Sequence, residues 1–149
     1  MAPGTPIPTR ALVLSEDFGE RLGARRVGEA IAAGLRAAGA PAPDLFPVGG
    51  PSKRAGAREL LLQLGFEERM RAARALVLAV ASLAEDTLAG SLAFEAATMA
   101  RQAGVPCYGV TASNRLNSFD LRILDLQLVL EASTTRRLSA AGRRLGQIV

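Results

Sequence analysis

The sequence predicts an α/β domain: a three-layer, doubly wound, mostly parallel five-stranded sheet in flavodoxin-like or Rossmann-like order. Three observations carry this. Arg74 to Ser82 contains an unbroken apolar run of strand length, as a strand buried on both faces requires. An alanine-rich stretch at helical spacing follows and stops at Gly104, and a second apolar segment, Gly104 to Thr111, enters through Pro106. Strand-like and helix-like segments then alternate along the whole chain, the pattern of a parallel sheet covered by helices.

Taken in order, Met1 to Thr9 holds Pro3, Pro6 and Pro8 and reads as a poorly ordered tail, leaving residues 10–149 as one domain. Ala11 to Leu14 is the first strand, ending at Ser15, and Glu16 to Gly23 is its loop. A helix from Ala24 to Gly39 places Val27, Ala30, Ile31 and Leu35 on one face. Pro41 and Pro43 end it and lead to a short strand over Leu45–Val48. The loop Gly49 to Gly56 precedes one or two helices between Ala57 and Ala73, with Gly65 as the break.

After the central strand–helix–strand unit, a polar turn is expected over Ala112–Asn117, then a short helix at Ser118–Leu124 and a strand at Leu126–Leu130. A last helix runs from Thr135 to Val149, with Thr134 as its N-cap. In the order 2-1-3-4-5 the switch point falls between strands 1 and 3. It would gather the loops Ser15–Gly23 and Ser82–Ser91, with Thr111–Asn117 nearby.

Composition narrows the chemistry. Half of the 149 residues are apolar (49%) but only 4% are aromatic, so the core must be aliphatic. No apolar run reaches the roughly 18 residues of a bilayer span, and the N-terminus lacks the order of a signal peptide, so a cytoplasmic protein without membrane contact is expected. Cys107 is the one cysteine and is expected to be a small buried hydrophobe. Histidine is absent, which removes the commonest general base, the usual zinc sites and Ser-His or Cys-His nucleophile pairs. Chemistry must therefore rest on carboxylates, hydroxyls, arginines, backbone dipoles or Lys53, the only lysine.

Four carboxylates follow the strands that flank the switch point. Glu16, Asp17, Glu85 and Asp86 could hold Mg²⁺ through water, with Asp17 and Asp86 as the candidate catalytic acids. The plainer reading has Asp86 or Thr87 capping the next helix and the other acids in solvent. Gly49, Gly50, Gly90 and Ser91 could offer donors to an anion near a helix start. Ser15, Ser82 and Asn114 stand at or beside the same loops, with Arg115 near the rim. Neither G-x-x-x-x-G-K-[ST] nor G-x-G-x-x-G occurs, so the familiar nucleotide loops are missing. Arg136, Arg137, Arg143 and Arg144 share one face of the last helix at a spacing of seven; without nearby aromatics they read as a solvated face, and nucleic-acid binding is not expected.

Several stretches resemble the bacterial glycerate kinase family of the D-S-F-K-G-S-L type. Ala11 to Phe18, including Ser15-Glu16-Asp17-Phe18, stands where that family has its first strand and D-S-F. Pro47-Val48-Gly49-Gly50 resembles P-V-A-D-G-G, and Thr87-Leu88-Ala89-Gly90 resembles the T-L-x-G of G-E-G-R-x-D-x-Q-T-L-x-G-K. Ala103 to Pro106 and the segment from Asp125 to Val149 also follow the family's C-terminal part.

The resemblance implies a Rossmann-like domain, ATP and Mg²⁺ as cofactors, phosphotransfer to glycerate, and Thr87 among the ligand-binding residues. Family members are longer, with a central domain inserted between these regions; here Gly50 to Ala73 replaces it. Gly19 and Ser91 stand at the motif lysines, and Ala79–Ala84 replaces the acids and arginine of G-E-G-R-x-D. The residues thus predict a domain that binds a small anionic molecule or nucleotide, with phosphotransfer reduced, relocated or lost. The alternative is a non-catalytic scaffold or regulatory subunit that self-associates, as a homodimer or with another protein, through an alanine-rich helix face.

Overall fold

The computed structural model describes residues 7–51 and 53–149; the greater part of the expected N-terminal tail lies outside these residues. Five strands form one all-parallel sheet in the order β2-β1-β3-β4-β5: β1 (Leu12–Ser15), β2 (Asp44–Pro47), β3 (Leu76–Leu83), β4 (Cys107–Asn114) and β5 (Leu126–Glu131). Of the flavodoxin-like and Rossmann-like orders that the alternation of elements leaves open, this is the flavodoxin-like one, and β1 and β3 are neighbours, paired from Leu12↔Leu76 to Ser15↔Ala79. The chain leaves β1 toward one edge and later leaves β3 toward the other, so helices must cover both faces.

Helices α1 (Ala24–Ala37) and α6 (Thr135–Gly146) cover one face, and α2 (Ala57–Gln63), α3 (Phe66–Arg71), α4 (Leu92–Ala103) and α5 (Ser118–Leu124) cover the other. The alternating side chains of β1 show the division. Val13 joins Val27, Ile31, Leu35 and Leu138 on the first face, while Leu12 and Leu14 join Leu61, Phe66, Met70 and Leu92 on the second. Gly65 does break the run between Ala57 and Ala73 into two helices. Gly104 ends α4 in the left-handed conformation at φ 73°, and the Thr134 hydroxyl accepts the Arg137 amide at 3.2 Å as the N-cap of α6.

One expectation needs correction. The polar turn after Thr111 begins later, because β4 continues to Asn114 while β3 continues to Leu83, with Ser82↔Ser113 and Leu83↔Asn114 in register. Ladder hydrogen bonds belong to the backbone, so polar side chains need not end a strand. Ala93, Ala96, Ala97 and Ala100 of α4 are buried in the core, whereas Ala33 and Ala37 of α1 are exposed. Among the described residues no helix is long and apolar enough to cross a membrane.

Helices α1 and α6 touch backbone to backbone. A Cβ at Gly34 would fall on the Ser139 carbonyl oxygen, and one at Gly142 would fall on the Ile31 carbonyl oxygen. Glycine at both positions permits this approach, and the two helices become one layer.

Candidate functional site

The carboxyl end of β1 delivers three consecutive polar residues to the switch point. Ser15 is fully buried, and its hydroxyl donates to the Ala24 carbonyl at 2.7 Å, tying the strand end to the first turn of α1. Glu16 is 2% exposed and its amide continues the ladder to the Ala79 carbonyl at 2.8 Å. Asp17 turns outward into the loops. Its Oδ1 accepts the Ala24 amide at 2.8 Å, and its Oδ2 accepts the Gly50 amide at 3.1 Å. The N-cap residue of α1 is Gly23, which has no side chain to offer, so Asp17 supplies the missing acceptor from upstream.

The second loop is folded across the first and third. Gly50 holds φ 91°, which brings its amide to Asp17 and leaves room for the Arg54 guanidinium. Arg54 folds back on its own loop, donating through Nε to the Pro51 carbonyl at 2.7 Å and through Nη2 to the Gly49 carbonyl at 3.0 Å. The Arg54 amide reaches the Gly90 carbonyl at 3.2 Å, and Lys53 pairs with Ser91 as an isolated antiparallel bridge. Lys53 Nζ donates to the Asp86 carbonyl at 3.0 Å. The β1–α1, β2–α2 and β3–α4 loops are therefore linked in series through Asp17, Gly50, Arg54 and Gly90.

This arrangement gives several of the expected ligand-binding residues a structural role. Ser91 is 1% exposed and is the N-cap of α4, accepting the Phe94 amide at 3.0 Å while donating to the Leu88 carbonyl at 3.2 Å. It therefore displaces Asp86 and Thr87 from the capping role; both lie in a single 3-10 turn, Glu85–Thr87, ahead of the helix. Only the backbone of Thr87 falls within the described residues. Gly49 and Gly50 form a fixed tether, with the Gly50 amide already taken by Asp17. Ser82 lies inside the β3–β4 ladder.

The four acids do not assemble. Glu16 is buried, Asp17 is tied to two amides, and Glu85 and Asp86 are exposed on the 3-10 turn. Among the described residues no three His, Cys, Asp or Glu side chains come together closely enough to hold a metal ion. Of the expected Mg²⁺ set Glu16, Asp17, Glu85 and Asp86, Asp17 serves the fold as the acceptor at the start of α1.

Asn114 stands apart from this tether at the end of β4. Its Oδ1 accepts the Leu116 amide at 3.1 Å, and its own amide donates to the Glu131 carboxylate at 3.3 Å. It lines a groove of about 400 Å³ between β5 and α6, with Glu131, Arg137 and Arg144 as the charged walls. A smaller cavity of about 150 Å³ lies under the start of α1, lined by Ser15, Arg25, Gly28, Leu45 and Pro47.

Sequence reasoning named Lys53 as the chain's single lysine but did not place Lys53 or Arg54 at the candidate site. The available signal was the single lysine of the chain standing beside Gly49-Gly50-Pro51, one loop away from the switch point. Comparison of the chain with protein-family models and with curated proteins finds no match.

Proposed function

We propose that this domain binds a small anionic molecule, a phosphate- or carboxylate-bearing metabolite or a nucleotide, at the carboxyl end of the sheet between β1 and β3. One observation carries the reading: a folded-over loop, held by the Arg54 amide at Gly90, brings the Lys53 ammonium to Asp86 and pairs Lys53 with Ser91 at the start of α4. A parallel sheet favours ligands there, and cations beside the start of a helix add to the attraction for an anion. The cation comes from the β2–α2 loop, whereas the glycerate kinase resemblance would have placed lysines at Gly19 and Ser91.

The same geometry supports binding more than turnover. Phosphoryl transfer needs metal and several positive groups around the moving charge. The four candidate acids do not gather, and Asp17 already caps a helix, so the donor set does not fit a dedicated Mg²⁺ site. No transfer step is therefore assigned to these residues.

Thermal denaturation with inorganic phosphate, ADP, Mg²⁺-ATP and glycerate tests the reading. A ligand present at 100 times its Kd adds about 2.7 kcal/mol to native stability, a rise of several degrees in Tm. At least one of these anions should raise Tm in the native chain, and Lys53→Met should abolish the rise without lowering the ligand-free Tm by more than about 2 °C. No shift with any of the four at millimolar concentration would overturn it. A concentration-dependent dimer in that event would favour the scaffold reading.

A further inference from the structure

The charge of this molecule is segregated by layer. Helix α1 exposes Arg25, Arg26 and Arg36, and its one acid is Glu29. Helix α6 exposes Arg136, Arg137, Arg143 and Arg144 and has no acid. The four helices of the opposite layer carry five arginines against five acids. The net charge of +4 is thus not a general property of the surface. Ion pairing follows the same division: among the described residues Arg58–Glu95, Arg69–Asp44 and Arg71–Glu67 all involve the opposite layer or β2, and no arginine of α1 or α6 has a carboxylate partner. The contact at Gly34 and Gly142 makes the two helices one platform, so these arginines are held together as a surface.

We infer that the α1–α6 face docks on the phosphate backbone of double-stranded nucleic acid, without reading its sequence. Unpaired guanidinium groups suit phosphate, which they bind through a two-pronged fork. The two arginine pairs of α6 are seven residues apart, about 10 Å along the helix, or roughly three nucleotide steps on one strand. Arg137 and Arg144 also border the groove beside β5, where Glu131 is the one acid, so the phosphate contact falls on their outward side.

The composition of the face selects among polyanions. Between the arginines the exposed residues of α1 and α6 are Glu29 and small or polar side chains such as Ala33, Ala37, Thr135 and Ala140, with no large apolar side chain within either helix. An interfacial membrane helix needs several apolar anchors that sink below the headgroups, and among the described residues only Ile148, two residues past α6, is a large exposed apolar side chain beside these helices. No aromatic residue lies on either helix, so the stacking that holds single strands is also missing. A duplex backbone is what remains.

The test is fluorescence anisotropy with a labelled mixed-sequence DNA duplex of about 20 base pairs, titrated at 50 and 200 mM NaCl. If four arginines displace counterions, affinity falls about a hundredfold between these salt concentrations. Replacing Arg136, Arg137, Arg143 and Arg144 together by Gln should weaken binding at 50 mM at least tenfold and flatten the salt dependence. Replacing Arg58, Arg71, Arg101 and Arg122 by Gln removes the same charge from the other layer and should leave the affinity within about twofold, because that layer makes no phosphate contact. Equal losses in the two variants, or no salt-sensitive binding, would overturn the inference. So would equal or tighter binding to the separated single strand, to phosphatidylserine vesicles or to polyglutamate, each of which names a different partner.

Discussion

Asp17 accepts the Gly50 amide across 33 residues of sequence while its other oxygen caps α1 at the Ala24 amide. One carboxylate therefore fixes both the start of a helix and the position of the loop that carries Lys53 and Arg54. A residue so placed acts on stability first and on ligand binding through the loop. Asp17→Ala should lower unfolding free energy by about 1–2 kcal/mol, the usual loss of a cap, measured by urea denaturation. Asp17→Asn keeps one acceptor and should lose less. If both variants were as stable as the native chain, the carboxylate would have to be reassigned to ligand chemistry.

A second clamp lies at the opposite end of the sheet. Arg69 of α3 donates through Nε to Asp44 at 2.9 Å and through Nη2 to Asp44 at 2.5 Å and the Leu45 carbonyl at 2.7 Å. Its guanidinium lies 4.5 Å from the centre of the Phe46 ring, which meets Phe66 edge to face at 5.5 Å. The hydrogen bonds to Asp44 raise the Arg69 pKa further. Lysine can supply the charge but neither the fork nor the stacked plane. Because the pair is partly exposed, at 40% and 23%, solvent screening limits the effect, and Arg69→Lys should cost about 1 kcal/mol. The neighbouring Arg71–Glu67 pair is far more exposed, and Arg71→Lys should leave the denaturation midpoint unchanged.

What was legible in the sequence was whatever depends on neighbours in the chain. The apolar run of β3, the glycine after α4 and the threonine before α6 announce themselves within a turn or a strand, and with the alternation of elements they indicate a parallel sheet, though not which of two strand orders it takes. The site was read less well because its contacts are long-range. Asp17 to Gly50 and Lys53 to Asp86 each span 33 residues, and no local pattern tells a capping aspartate from a catalytic one. The charge segregation was half visible: the spacing of the α6 arginines could be read, but their union with those of α1 depends on how the helices pack.

That packing is itself testable. A methyl group at Gly34 or Gly142 would overlap a carbonyl oxygen of the facing helix, and the backbone cannot rotate away as a side chain could. Gly34→Ala and Gly142→Ala should each destabilise by about 3 kcal/mol or more, at the upper end of overpacking costs, despite the better helix propensity of alanine. Ala33→Ser, one residue along α1 on the exposed side, should change stability by less than about 0.5 kcal/mol. Calorimetry of the three variants decides it, and near-native stability for Gly142→Ala would mean the helices are further apart than described.

Cys107 gives a prediction with a pH sign. Burial at the start of β4, reinforced by Asp125, pushes its thiol well above the ordinary range. The folded chain therefore keeps the proton that the unfolded chain releases once pH passes the usual thiol value of about 8.5. Above that point the native state binds more protons than the unfolded state, so stability falls as pH rises; below it, Cys107 contributes no slope. Cys107→Ala should flatten the decline in unfolding free energy between about pH 8.5 and 10 while lowering stability at neutral pH through the lost packing. The same burial makes the thiol a poor nucleophile, so thiol-specific reagents should label it in the native protein only at the rate of opening, and completely in denaturant. Rapid native-state labelling at pH 7 would contradict the burial, and with it the assignment of Cys107 as a packing residue.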